Sequence, residues 1–285
     1  MENALEVRGL CKRFGNFGVE DVTFALPKGY IMGFVGKNGA GKTTTIKLIL
    51  NMLTRGSGEI KIFGQDNLEH EAEIKSRIGV VMDTTFLVED WTLVDAGRAL
   101  KPFYQNWNDD RFKELLAGFS LDPTKKVKQL SRGMRMKIMI ALAMAHEPDL
   151  LILDEPTSGL DAVARDELME ILMNFITNEN KAVLFSTHIT TDLEKIADYI
   201  TFINNGKILH SDTKDNLLEK YVVVKGGLGT LSSEQKGLII GYQERKTHFE
   251  GITDKVNLKN LPNSLQSDPC SLDALVVAFN KGGGK

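Results

Sequence analysis

Residues 36–44, GKNGAGKTT, combine residue types and a spacing that are typical of phosphate binding. The segment matches the pattern G-x-x-x-x-G-K-[ST], which forms a loop between a strand and a helix. Backbone N–H groups of such a loop and the Lys42 ammonium would bind β- and γ-phosphate oxygens, and the Thr43 hydroxyl would bind Mg²⁺. We therefore predict a nucleotide site in which Lys37 and Ala40 offer only backbone groups. Its predicted residues are Gly36, Lys37, Asn38, Gly39, Ala40, Gly41, Lys42, Thr43 and Thr44.

Two adjacent carboxylates, Asp154 and Glu155, follow the apolar run at residues 150–153. Such a run predicts a buried strand, and open α/β sheets bind ligands at the carboxyl ends of their strands. Asp154 would hold Mg²⁺ through water, and Glu155 would polarise the water that attacks the γ-phosphate. Taken alone, adjacent acids at a strand end could equally decorate a helix N-terminus. Their combination with the phosphate loop favours the catalytic interpretation.

His188 ends a further apolar segment, KAVLFSTH, at residues 181–188. A single histidine is more often structural than catalytic. Here it follows a buried strand that we place in the same sheet, so it can reach the same edge as Glu155. We therefore predict that His188 contacts the γ-phosphate.

The sequence around these residues predicts an α/β fold, because buried apolar strands alternate with helices along most of the chain. Short β-like runs at 4–10 and 22–27 predict an N-terminal antiparallel β part, and a mostly helical insertion covers about 86–145. We predict one domain at 1–211 and a small α/β appendage at 212–285, which ends in a disordered KGGGK tail. The helix after the phosphate loop should bury Ile46, Leu48, Ile49 and Met52.

Composition and charge narrow the function classes. A net charge of −3 argues against a general nucleic-acid binder, and Cys11 and Cys270 do not form a disulfide framework. No apolar run approaches the roughly 20 residues that cross a bilayer. The first ten residues lack the basic and then apolar pattern of a signal peptide. We expect a cytoplasmic protein that meets a membrane only through a partner.

A second candidate phosphate site lies in LSRGM, residues 130–134, where Ser131 and Gly133 precede a helical run. The order of phosphate loop, LSRGM, LLILDE, SGLD and STH resembles the nucleotide-binding subunit of ATP-binding-cassette (ABC) transporters over about residues 4–210. The resemblance implies a P-loop NTPase (ABC ATPase) core that binds ATP and Mg²⁺. It also implies a head-to-tail dimer with a second ABC ATPase subunit, identical or different, and an integral-membrane permease partner.

In such a dimer, LSRGM of one subunit closes over ATP held by the other. Ser131 and the Gly133 backbone would bind the γ-phosphate in trans, and Asp161 in SGLD would cross the interface and link the two sites. Phe14 stands where the family places an aromatic ring against adenine. A core Phe explains this residue equally well, and Phe17 is the second candidate.

Two positions depart from the usual family pattern. Asp83 replaces a Gln that would bind the metal; a carboxylate can also bind Mg²⁺, but it adds negative charge beside ATP. Arg132 and Met134 replace the common residues of the LSRGM motif. Similar forms occur in the branch that exports antibiotics and amphipathic peptides. We therefore predict an exporter subunit on the cytoplasmic face of the membrane.

Three other functions fit the sequence less well. A soluble ABC ATPase acting on ribosomes or DNA is the main alternative, but such proteins carry a second cassette or long coiled coils, and only about 90 residues separate Lys42 from Ser131. A GTPase would require an Asn-Lys-x-Asp motif, which the sequence lacks. A binding module without turnover is conceivable only if Asp83 has disabled the site. ATP-driven export is the leading prediction.

Overall fold

A computed structural model describes residues 2–83 and 86–282. Its strands are β1 (Asn3–Phe14), β2 (Phe17–Pro27), β3 (Ile31–Val35), β4 (Ser57–Ile62), β5 (Gln65–Asp66), β6 (Ile78–Val81), β7 (Leu150–Asp154), β8 (Ala182–Thr187), β9 (Tyr199–Asn204), β10 (Lys207–Thr213), β11 (Tyr221–Gly227), β12 (Ile240–Glu244), β13 (His248–Asp254) and β14 (Gln266–Pro269). Its α-helices are α1 (Lys42–Ile49), α2 (Glu71–Ser76), α3 (Leu93–Leu100), α4 (Asp109–Gly118), α5 (Arg132–Met144), α6 (Ala162–Phe175), α7 (Thr190–Ile196), α8 (Lys214–Lys220), α9 (Ser233–Gly237) and α10 (Leu272–Gly282). None of these helices is long and apolar enough to cross a membrane.

The central sheet has the strand order β10-β9-β3-β8-β7-β6. Its strands run parallel except for β10, which pairs antiparallel with β9. Every residue of β3, β7 and β8 is buried, because helices or the N-terminal sheet cover both faces of these apolar strands. The predicted largely parallel α/β sheet is confirmed. The carboxyl ends of β3, β7 and β8 therefore meet at one edge.

The N-terminal sheet, with the order β2-β1-β4-β5, is antiparallel as predicted. Its β1 and β2 extend beyond the predicted runs and join through a tight turn at which Phe14 faces Phe17. In α1, Ile46, Leu48 and Ile49 are buried, but Met52 is 57% exposed. The prediction for Met52 was wrong because α1 ends at Ile49 and the backbone turns away at Asn51, where φ is 54°.

Between residues 86 and 131, the chain forms α3, α4 and short 3-10 helices, as the predicted helical insertion requires. Helix α5 then runs from the insertion back to the central sheet, and its residues from Ile138 to Met144 are buried. It packs closely on β6, since a Cβ at Gly79 would lie 2.4 Å from the Ala143 carbonyl oxygen. One helix thus connects the insertion to the sheet.

The C-terminal part contains the sheet β12-β13-β11-β14, which α10 covers. Helices α8 and α10 and strand β11 agree with the predicted α/β character of this part, and Ser271 Oγ accepts a hydrogen bond from the Ala274 N–H at 3.2 Å. The predicted boundary at 211/212 falls inside β10, where Thr213 still pairs with Tyr199 of the central sheet. We retain the two-part division as a proposal, with the boundary after Thr213. Of the predicted tail, residues 281 and 282 belong to α10, and 283–285 lie outside the described residues.

Candidate functional site

The phosphate loop connects β3 to α1 at the carboxyl-terminal edge of the central sheet. Gly41 immediately precedes α1 with φ of 115°, a conformation that an L-residue with a side chain rarely adopts. The chain can therefore turn sharply into the helix, so that the first N–H groups of α1 border the loop. Within the loop, Asn38 and Gly39 are exposed and Ala40 is buried.

Lys42 lies at the start of α1 and is only 5% exposed. Its Nζ donates hydrogen bonds to the carbonyl oxygens of Gly36, at 2.6 Å, and Lys37, at 3.4 Å. The same ammonium lies 2.9 Å from Glu155 Oε1. The loop therefore holds a positive charge at its centre, where phosphate oxygens would bind.

Asp154 lies at the end of β7 and is 1% exposed. The Thr43 hydroxyl donates to its Oδ2 at 2.7 Å, and the Ser186 hydroxyl donates to its Oδ1 at 2.6 Å. Thr43 and Asp154 thus bring a hydroxyl and a carboxylate oxygen together, which are hard ligands that suit Mg²⁺. Ser186 was missed in the sequence analysis. Pairing the apolar runs of β7 and β8 in parallel register would have placed it beside Asp154.

Glu155 follows Asp154 and contacts two other predicted site residues. Its Oε2 lies 2.7 Å from His188 Nδ1, which carries the hydrogen because a carboxylate can only accept. Its Oε1 attracts Lys42 at 2.9 Å, yet this buried oxygen accepts no hydrogen bond of normal geometry from the described residues. The Glu155 backbone has φ of 52°, an uncommon conformation for a residue with a side chain, and its N–H donates to Ser186. The carboxylate is fixed in place and retains capacity to accept a hydrogen bond from water.

These residues surround one cavity of about 520 Å³. Its walls are formed by Phe17, Asn38, Gly39, Gly41, Lys42, Thr43, Thr44, Asp83, Asp154, Glu155, Ser158 and His188. Phe17 is part of this lining, whereas Phe14, the first choice from the sequence, is not among the lining residues described. The Phe14 ring instead has the Lys12 ammonium 5.7 Å from its centroid. This geometry favours Phe17 for contact with a base, and the role of either ring stays a prediction.

Ser131, Gly133 and Asp161 lie together at the N-terminal ends of α5 and α6. Ser131 Oγ accepts from the Met134 N–H at 3.2 Å, and Asp161 Oδ1 accepts from the Ala164 N–H at 2.9 Å. Gly133 packs so closely on α6 that an added Cβ would lie 3.0 Å from the Ala164 Cβ. None of the three is among the described residues that line the cavity.

Asp83 lines the cavity from the loop that follows β6. Its Oδ1 lies 4.0 Å from a guanidinium nitrogen of Arg132, and both side chains are more than half exposed. An ion pair of this exposure contributes little to stability. Asp83 thus lies beside Arg132 of the LSRGM segment, and its Mg²⁺ role stays a prediction.

Comparison with known proteins agrees with this geometry. The ABC transporter family model matches residues 19–158, a range that includes the phosphate loop, Asp154 and Glu155. The bacitracin transport ATP-binding protein BcrA of Bacillus licheniformis is 30% identical over 265 residues, which cover 88% of this chain and 84% of that protein. The Nod factor export ATP-binding protein I of Cupriavidus pinatubonensis is 30% identical over 224 residues, or 76% and 69% of the two chains.

A solved structure of the ATP-binding subunit of an ABC transporter superimposes with a TM-score of 0.69 at 30% sequence identity. The similarity covers 75% of this chain and 91% of that one. The ABC ATPase fold predicted from the motifs is thereby confirmed. This chain belongs to the ABC transporter family as an ATP-binding subunit, an ATPase coupled to transport.

Proposed function

We propose that this chain pairs head to tail with a second ABC ATPase subunit, identical or different, and hydrolyses Mg²⁺-ATP to drive export. A separate integral-membrane permease would hold the pair at the cytoplasmic face of the membrane. One observation is the main support for the ATPase site. The segments that follow strands β3, β7 and β8 place Lys42 and His188 in contact with Glu155. Its two carboxylate oxygens lie 2.9 Å from Lys42 Nζ and 2.7 Å from His188 Nδ1.

Each residue has a separate task in this proposal. Lys42 and the loop N–H groups bind the β- and γ-phosphates, and Thr43 and Asp154 hold Mg²⁺. When bound, the metal ion neutralises charge on the phosphate oxygens. Glu155 accepts a hydrogen bond from the attacking water and polarises it. His188, oriented by the bond from its Nδ1 to Glu155, contacts the γ-phosphate.

The positions of Ser131, Gly133 and Asp161 support the trans roles that we propose for them. They lie outside the cavity wall described above, so they have no evident contact with ATP held by their own chain. The 13-residue helix α5 begins next to Ser131 and presents its first N–H groups, with their partial positive charge, at this surface. An anion brought by a second subunit would be stabilised there.

Export is favoured by the named functions of relatives and by the LSRGM segment. Among the relatives, one is named for bacitracin transport and another for Nod factor export. Residues Arg132 and Met134 agree with the form of the motif found in the exporting branch. We propose export as the direction of transport and assign no cargo.

The substitution Glu155→Gln tests the ATPase part. The amide keeps the side-chain shape but removes the charge that polarises water, so hydrolysis should fall by about 100-fold or more. Size-exclusion chromatography with Mg²⁺-ATP should then show a stable dimer. Glu170→Gln, on the exposed face of α6, is the matched control and should behave as wild type.

A Glu155→Gln protein that stays monomeric and hydrolyses ATP at the wild-type rate would refute the proposal. The transport part is tested by purifying tagged Glu155→Gln protein from detergent-solubilised native membranes. We expect an integral-membrane permease to accompany it. Recovery of ribosomes or DNA instead would favour a soluble ABC ATPase.

A further inference from the structure

Helix α10 of the C-terminal part lies next to the phosphate loop and His188. Asp273, Val276 and Asn280 are spaced three and four residues apart, so they form one stripe on the helix surface. Val276 and Asn280, together with His188 and residues 36–38, line a cleft of about 390 Å³. One face of α10 thus adjoins both the phosphate loop and His188.

Asp273, at the other end of this stripe, contacts the helix that follows His188. The Thr190 hydroxyl donates a hydrogen bond to Asp273 Oδ1 at 3.2 Å. Thr190 is the first residue of α7 and stands two positions after His188. The residue that caps α7, Ile189, has no side chain able to accept from the helix, so α7 lacks a side-chain cap of its own.

Other contacts of α10 secure its position without using Asp273. The Phe279 ring meets Phe202 of β9 edge to face, with 5.0 Å between the centroids. Asn204 Nδ2 donates to the Phe279 carbonyl oxygen at 3.3 Å. Leu272 and Leu275 are fully buried. Removing the Asp273 carboxylate should therefore leave α10 in place and release only the start of α7.

We propose that Asp273 is a positioning residue for ATP hydrolysis. Its carboxylate holds Thr190 and the first turn of α7, and it thereby keeps the preceding His188 against Glu155. The C-terminal part is in this way a component of the catalytic arrangement. This inference rests on the proposed roles of Glu155 and His188.

The test measures the rate of ATP hydrolysis against ATP concentration for four variants of the full chain. Asp273→Ala and Thr190→Val each remove the hydrogen bond, so kcat should fall roughly three- to tenfold while KM for ATP stays within about twofold. Asp273→Asn should restore kcat, because the amide oxygen accepts the same hydrogen bond. Val277→Ala, at an exposed position of α10 that is not among the residues lining the cleft, should match wild type. Thermal unfolding of each variant confirms that it is folded.

Wild-type kcat in both Asp273→Ala and Thr190→Val would overturn the proposal, as would an Asp273→Asn variant that is as slow as Asp273→Ala. A change confined to KM would also overturn it, since it would indicate a role in binding. His188→Ala, assayed in parallel, separates the two levels of inference. If it hydrolyses ATP normally, the proposed role of His188 fails; if it is inactive and Asp273→Ala is not impaired, only the role of Asp273 fails.

Discussion

His146 should make the stability of the fold depend on pH. It follows the end of α5, is 1% exposed, and lies with its Nε2 3.1 Å from the Ile78 carbonyl oxygen of β6. Its ring stacks on Tyr104 with 3.9 Å between the centroids. Burial lowers the pKa of His146 from 6.5 to about 4, because the charged imidazolium would lose its hydration.

The direction and size of the effect follow from the two pKa values. The unfolded chain takes up this proton near pH 6.5, whereas the folded protein takes it up only near pH 4. Stability from the neutral imidazole is therefore complete above pH 6.5 and is lost as the pH falls towards 4. A difference of about 2.5 between the pKa values, at about 1.4 kcal/mol for each pKa unit, gives about 3.5 kcal/mol.

The assay is urea unfolding of wild type and His146→Gln at pH 7.0 and 4.5. Glutamine can donate its amide Nε2 to the Ile78 carbonyl oxygen but does not titrate. Comparison with this variant is needed because burial lowers the pKa of His210 as well. Between the two pH values, the free energy of unfolding should fall by about 2 kcal/mol more in wild type than in the variant. A difference below about 0.5 kcal/mol would refute the reasoning and show that His146 titrates near its ordinary pKa.

The adenine contact and the sharing of sites can each be tested by substitution. Phe17→Ala should raise KM for ATP about fivefold through loss of stacking, and Phe14→Ala should change it little; the reverse result would identify Phe14 as the adenine contact. Lys42→Ala should weaken ATP binding in a calorimetric titration, whereas Ser131→Arg should bind ATP normally and fail to hydrolyse it. Mixing these two proteins should restore part of the activity, because one composite site in the mixed dimer is intact. A Ser131→Arg protein that cannot bind ATP would show that this motif serves its own loop.

The edge of the central sheet that holds the candidate ATPase site was largely predictable from the sequence. Its residues follow the carboxyl ends of apolar strands. Buried runs such as 150–153 can pair in a parallel sheet in only a few ways, and all of them bring the carboxyl ends together. This pairing predicts Lys42, Glu155 and His188 at the same edge of the sheet, and the observed strand order β3-β8-β7 makes them neighbours there. The contacts at 2.9 and 2.7 Å on Glu155 are consistent with that expectation.

Features that depend on register or on distant packing could not be predicted in the same way. Ser186 reaches Asp154 only because β7 and β8 pair residue 154 with 186. Phe14 and Phe17 face each other across one turn, and no local sequence pattern specifies that Phe17 lines the cavity while Phe14 is not among the described lining residues. Strand β14 is short and polar, so it lacks the apolar alternation that indicates a strand.

Helix α5 links the two regions on which ATP hydrolysis is proposed to depend. Its N-terminal end, with Ser131 and the first N–H groups, is the surface proposed to meet the partner's ATP, and its 13 residues extend about 20 Å to the central sheet. There the backbone of Ala143 packs directly on Gly79 of β6, and His146 bonds the first residue of the same strand. The strand next to β6 is β7, which ends in Asp154 and leads to Glu155. Because α5 is a continuous helix that is buried where it meets the sheet, we expect a displacement at Ser131 to reach either the β6–β7 edge or the packing around His146. Helix α5 thus offers a direct structural route from the surface proposed to meet a second subunit to the carboxylates of the chain's own site.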